Sequence, residues 1–231
     1  AGGSRAYVGA LLQDFAGQLR LATPVAKVVR DAAGVTVTAR TGQVDQFDAI
    51  LIATHADQAL SMLDAPSARE RELLGAFSYT TNTAVLHADA TYMPRRRKVW
   101  CCWNYISTDH ISSENQLCVS YWMNRLQSLE GRDLFVTLNP PADPQQEIAR
   151  FEYTHPLFDS AAIHAQDNLW QIQGQNRTFF AGAHFGRGFH EDGLQSGLAA
   201  AEAMGSLPRP WTVPNPSGRI TLAPPEAALV A

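Results

Sequence analysis

The sequence is short of cysteine, of basic charge and of long apolar runs, and each shortage excludes something. It holds three cysteines in 231 residues, two of them, Cys101 and Cys102, side by side. Neighbouring side chains on a strand point to opposite faces, so this pair is poorly placed to bond to itself. Free thiols and a cytoplasmic setting are expected. Cys102 and Cys118 sit in tryptophan-rich apolar runs, where burial raises a thiol's pKa and leaves it inert. The longest apolar stretch is a handful of residues around Ile50–Ala53, against the roughly 20 of a membrane span. No basic, apolar leader opens the chain, so no secretory signal is read. Arginine and lysine total 18 against 22 acidic residues, a net charge of −4, which speaks against a nucleic-acid-binding face. Neither G-x-G-x-x-G, HExxH nor G-x-S-x-G occurs, so dinucleotide fingerprint, zinc protease and nucleophile elbow are all missing. At 45% hydrophobic and 17% charged residues, the chain is nonetheless an ordinary globular one.

What is present alternates helix and strand. Tyr7, Val8, Leu11, Leu12, Phe15 and Leu19 recur at helical spacing behind Ser4, predicting a helix over 4–19. Three strands are expected over 20–53. The last of them, DAILIA from Asp48 to Ala53, is an unbroken run of the kind buried on both faces. Helices are expected over 56–63 and 67–74. From Phe77 to Leu138 the runs YTTNTAVLHAD, KVWCCWNYI, QLCVSYWM and LFVTLNP predict an antiparallel sheet, which Pro140, Pro141 and Pro144 end. A helix is expected over 158–169. The charge run Arg95–Arg97 reads as a solvated turn. Residues 207–231, with six prolines, are expected to be an extended or disordered tail.

The most informative stretch is 177–204, RTFFAGAHFGRGFHEDGLQSGLAAAEAM. A strand ends at Gly182, a loop follows with Gly186 and Gly188, and a helix opens with Asp192 as N-cap and Gln195 three residues on. A helix N-terminus at a strand end gathers N–H groups and the positive end of a dipole, a place for an anionic or carbonyl-rich ligand. The same pattern also describes a glycine-rich turn that merely packs a helix on a sheet. His184, His190, Glu191 and Asp192 are clustered, but one loop would have to supply every ligand, and no metal is expected.

These residues resemble a known family. FFAGAHFGRGFHEDGLQSGLAAAEA is similar to the C-terminal flavin-binding segment of the amine oxidase and phytoene desaturase superfamily, where a strand ending in Ala-Gly leads into an E-G-A-x-x-S-G helix. LATPVAKVVRDAAGVTVTARTGQVDQFDAILIATH resembles its middle segment, a T-P-V strand, a hairpin and a D-x-V-I-x-A strand. WCCWNYI, CVSYWMNRLQSL and LFVTLNP resemble the bacterial branch of predicted NAD/FAD-binding, amine oxidase-like proteins. The resemblance runs from residue 1 to about 206. It implies an α/β fold with α+β character: a partial FAD-binding, Rossmann-like domain interrupted by an antiparallel-sheet substrate domain. On this reading 20–60 and 150–206 are the C-terminal portions of the FAD-binding domain, and 1–19 and 61–149 the substrate-type domain.

By position, the resemblance implies FAD contacts at Val25 (adenine), Gly182 and Ala183 (pyrophosphate and ribitol), and Phe189, His190, Glu191 and Leu194 (isoalloxazine). Ala183 stands where an acidic residue is more usual, and Asp192 replaces the glycine of E-G-A. Trp103, Tyr105, Tyr121 and Trp122 are expected on a substrate-holding wall over the ring, although ordinary aromatic packing explains each equally. Only Lys27 and Lys98 exist, and neither matches the lysine common beside the flavin of amine oxidases, so no catalytic residue is assigned. The function implied is the C-terminal part of an FAD-dependent oxidoreductase that accepts hydride from an apolar or amine substrate. Its expected partners are that small molecule and a missing N-terminal flavin-binding half. The alternative is a flavoprotein-like domain that is not catalytic and holds no cofactor.

Overall fold

Alternating valines and threonines in VTVTA, β-formers with one greasy and one polar face, make the centre of the first sheet. In the computed structural model, which describes residues 4–106 and 118–223, β2 (Val35–Ala39) pairs antiparallel with β1 (Val25–Arg30) and β3 (Val44–Phe47). Sequence reasoning missed β3; its VDQF buries nothing fully, so it carries no apolar signal. The chain divides into two compact units, residues 20–79 with 156–231 and residues 1–19 with 80–155. The first segment of the former unit ends at Tyr79.

In the first unit, β4 (Ile50–Ile52) pairs in parallel with β10 (Thr178–Phe180), Ile50 opposite Thr178 and Ile52 opposite Phe180. Two segments more than a hundred residues apart are thereby joined. Of the DAILIA run only Ile52 is buried among the three strand residues, so the cover on both faces that was expected is incomplete. The outer edge of β10 is closed by a side chain: Gln173 donates to the Phe180 carbonyl at 2.7 Å and accepts from its N–H at 2.9 Å. Helices α2 (Ala56–Met62), α3 (Ala68–Gly75), α5 (Ser160–Gln166) and α6 (His190–Ala203) complete the unit. Ser67 and Glu70 form a capping box at the start of α3. Glu70, fully buried, also takes the Arg30 guanidinium of β1 at 2.5 Å and 3.1 Å. Val28, Ile52, Leu73, Leu74, Leu169 and Phe180 form the core beneath.

The second unit holds a five-stranded sheet in the order β6 (Trp103–Ile106), β7 (Cys118–Trp122), β8 (Phe135–Leu138), β5 (Ser78–His87), β9 (Glu147–Leu157). Short helix α4 (Met123–Gln127) joins β7 to β8. The strand β9 was not expected. It is an edge strand, almost wholly exposed, whose Glu147, Arg150 and Glu152 blunt the edge and hide the apolar alternation. Cys101 and Cys102 precede β6 rather than lying within a strand, and all three sulfurs are unpaired. Helix α1 spans Ser4–Gln13, not 4–19, and Tyr7, Val8, Leu11 and Leu12 on it are exposed. No helix among the described residues is long and apolar enough to cross a membrane.

Candidate functional site

Parallel strands end on the same side, and in α/β sheets the space beyond their carboxyl ends is where ligands gather. Here β10 runs out through Ala181 to Gly182, whose N–H donates to the Ser196 hydroxyl of α6 at 3.0 Å. The same hydroxyl donates within reach of the Gly182 and Gly193 carbonyls, at 3.1 and 3.0 Å. The second turn of α6 is thus stitched to the strand end. Gly188 turns the chain into the helix with φ +87°, and a Cβ there would meet the Phe158 ring at 3.0 Å. Only glycine takes that conformation without cost.

The helix begins earlier than expected. Its N-cap is Phe189, and Asp192 lies inside the first turn. Phe189 has no side-chain acceptor, so the carboxylate of Asp192 reaches back: Oδ2 accepts from the N–H groups of Phe189 at 2.8 Å and Arg187 at 3.0 Å. Arg219 then donates to the same carboxylate, Nε to Oδ1 at 2.6 Å and Nη2 to Oδ2 at 3.3 Å. Burial alone would lift the pKa of Asp192; the Arg219 fork and the two amides outweigh it and hold it below the ordinary carboxylate value. Two amides of this turn are already taken by protein and are not open to an anionic ligand.

Around that buried carboxylate the surface is open. Phe189 and Leu194 are each 51% exposed, His190 and Glu191 are exposed, and Gly182 and Ala183 are half-buried behind them. These six predicted contacts therefore share one strand–turn–helix unit. Val25 does not: it opens β1, opposite Ala39, on the separate antiparallel sheet. His184 and Asp192 are buried, whereas His190 and Glu191 are exposed. Among the described residues no three His, Cys, Asp or Glu side chains are grouped to hold an ion.

His184 carries no site role in the sequence reading. It is buried with its ring edge-on to Phe77, centroids 5.2 Å apart. Among the described residues its Nε2 is the buried side-chain polar atom left without a hydrogen bond. Burial pushes its pKa down to about 4, so it is neutral and acts as a packed wedge under the Gly182 turn.

In the sheet of the other unit, Trp103 and Tyr121 are directly paired and meet edge to face at 5.6 Å. Tyr105, two residues along and 62% exposed, shares their face. Trp122 does not. It turns to the opposite face, where its ring meets Trp100 at 5.2 Å and its indole N–H donates to Asp133 at 3.0 Å. That face also buries a polar ladder which sequence reasoning missed: His87 to Thr137 at 2.7 Å, Thr137 to Ser120 at 2.9 Å, and Asn104 to the Ser120 carbonyl at 3.2 Å. His87 accepts the Asp89 N–H at Nδ1, so its Nε2–H donates along the ladder. Burial lowers its pKa despite the opposing charges of Asp89 and Glu147. On the same face, burial lifts the Cys118 thiol to about 11.

The described residues thus form a mixed α/β fold with one parallel strand pair and two antiparallel sheets. Residues 1–88 match the profile of the flavin containing amine oxidoreductases. Among solved structures, a CLA-producing fatty acid isomerase from P. acnes is similar with a TM-score of 0.61 and 13% identity, over 87% of this chain and 51% of that one. Reduced UDP-galactopyranose mutase is similar at 0.56 and 12%, over 89% and 52%. A putrescine oxidase redesigned in cofactor binding is similar at 0.60 and 12%, over 88% and 53%. At such identities the likeness is one of fold, and the chain spans about half the length of these structures. No curated protein matches it in sequence. The profile match lies within residues 1–88, and the likeness to the solved structures is one of fold.

The residues at the α6 turn suit one part of a flavin. Phe189 and Leu194 offer apolar surface beside the positive end of a helix dipole, which fits a flat ring with a polar edge. The chain holds no glycine fingerprint for a pyrophosphate.

Proposed function

We propose that the chain is the C-terminal part of an FAD-dependent oxidoreductase whose ring site includes the α6 turn. The observation that carries the reading is the junction of β4 and β10, which ends at Gly182 against the first turns of α6 and leaves Phe189, His190, Glu191 and Leu194 open. Bound there, the flavin supplies a hydride-accepting ring. The chain's own part is to give apolar surface at Phe189 and Leu194, to aim a helix N-terminus at the ring's polar edge, and to keep the strand end close through Ser196. Gly182 and Ala183 are assigned to the ribitol and pyrophosphate side, and Val25 to the adenine. Trp103, Tyr105 and Tyr121 are the substrate-facing aromatics, for an apolar or amine substrate; Trp122 is left out because it faces the other side of its sheet.

The other partner in this reading is the polypeptide that makes up the remaining half of the similar structures, and with it the pyrophosphate site. β4 pairs with β10 alone among the described residues, so its second edge is where a further strand fits. The test is a flavin fluorescence titration of the 231-residue chain and of the whole protein. The whole protein is expected to bind FAD and show a flavin spectrum, and the chain alone to bind it weakly. A colourless whole protein would instead favour the domain that holds no cofactor.

A further inference from the structure

Among the described residues, the segment after α6 is rich in proline and carries neither helix nor strand, yet two arginines fasten it along the helix. Near the C-terminal end of α6, Arg209 forks onto Glu202, Nε to Oε1 at 2.8 Å and Nη2 to Oε2 at 3.0 Å. Near the N-terminal end, Arg219 forks onto Asp192. Residues 205–222 therefore run back over the helix as a strap. Ile220 and Leu222 of the strap close an apolar cavity of about 220 Å3 against Trp170, Ala199 and Ala203.

The Arg219 end bears on the site. Helix α6 carries two carboxylates, Glu191 and Asp192, in its first turn. Asp192 is fully buried, and a Cβ on Gly186 would come within 2.5 Å of its oxygen. It also holds the amides of Arg187 and Phe189. Arg219 adds its own N–H to Gln195 at 3.1 Å, and its guanidinium lies 5.8 Å from the centre of the exposed Phe189 ring. One buried carboxylate thus ties the glycine loop, the helix and the strap together, and Arg219 is the cation that makes its burial tolerable.

We propose that Arg219 is a positioning residue of this turn: acting through Asp192, it holds residues 186–189 in the arrangement that presents Phe189, and it cancels a buried negative charge beside the ligand. The first half stands whatever binds there. The second half rests on the flavin reading. Reduction adds negative charge to the ring, so an uncompensated carboxylate in the same turn would oppose it.

The experiment compares wild type, Arg219→Gln, Arg219→Lys, Asp192→Asn and the Arg219→Gln/Asp192→Asn double variant in the whole protein loaded with FAD. It reads amide hydrogen exchange at Arg187 and Phe189, and the midpoint potential of the flavin. Arg219→Gln is expected to speed exchange at both amides by roughly tenfold or more and to lower the potential. Arg219→Lys keeps the charge and so keeps the potential, while exchange still rises because the fork is lost. The double variant recovers the potential. Unchanged exchange in Arg219→Gln overturns the latch; should that variant not fold, wild-type exchange in Arg219→Lys does so. Faster exchange with an unaltered potential overturns the charge role. A protein that takes up no FAD fails the flavin reading and the second half with it, and exchange in the unloaded protein still decides the first.

Discussion

Arg30 and Glu70 form a buried ion pair in the first unit. Their side chains are 5% and 1% exposed, and the capping box makes Glu70 serve α3 as well. Breaking a buried pair strands a charge, which costs about 3–5 kcal/mol, whereas replacing both partners by apolar side chains is often neutral. Urea unfolding should therefore show Arg30→Ala destabilised by about that amount and Arg30→Met/Glu70→Leu largely recovered. His184 gives the pH dependence. Its folded pKa is depressed to about 4, below the roughly 6.5 of an unfolded histidine. Its contribution is complete above the unfolded value and is lost as pH falls toward the folded one, with a slope of up to about 1.4 kcal/mol per pH unit. Stability measured from pH 7 to 4 should fall less steeply in His184→Phe; an identical slope would remove His184 from the account. At this scale the sequence was legible in part. Asp192 stood out, but an acidic residue at the N-cap and one reaching back from within the first turn satisfy the same amides, and spacing alone does not separate them. That His184 is buried was not legible, because clustering along the chain does not show which way a ring turns.

Among the elements, β4, β10 and α6 were legible because each carries a strong local signal: an unbroken apolar run, a strand stopped by glycine, a small-residue helix behind a glycine loop. Strands β3 and β9 were not, since an exposed strand need not alternate. The turn between β10 and α6 yields a prediction of its own. Valine at Gly188 must adopt φ +87° and displace the Phe158 ring, a strain of about 1–3 kcal/mol. In the whole protein, Gly188→Val should lower flavin occupancy more than it lowers the folded fraction. Visible absorbance per folded molecule measures this, and wild-type occupancy would reduce the loop to packing.

On the scale of the molecule, the two units differ in how complete they are. The first has a continuous core and, in the proposed reading, the α6 side of a ring site, while the sequence carries no G-x-G-x-x-G for a pyrophosphate. Charge-assisted hydrogen bonds contribute about 1.5–3 kcal/mol each, so two or three absent ones should weaken FAD binding by about two to six orders of magnitude. The 231-residue chain should accordingly bind FAD far more weakly than the whole protein in the titration above. Submicromolar binding by the chain alone would show that the missing cradle is not needed. The other unit exposes Tyr7, Leu11 and Phe15, each at least 50% accessible, which is more apolar surface than a lone helix ordinarily leaves to water.

Gln173 gives the parallel pair a direction of growth. By bonding both backbone groups of Phe180 it behaves as a one-residue stand-in for a neighbouring strand, so that side of the sheet is finished, while among the described residues no strand pairs with β4 on its far side. In this pair, among the described residues, a strand added by design or by fusion has its place beside β4. A glutamine side chain, rather than the strands themselves, has decided the sheet's polarity of assembly.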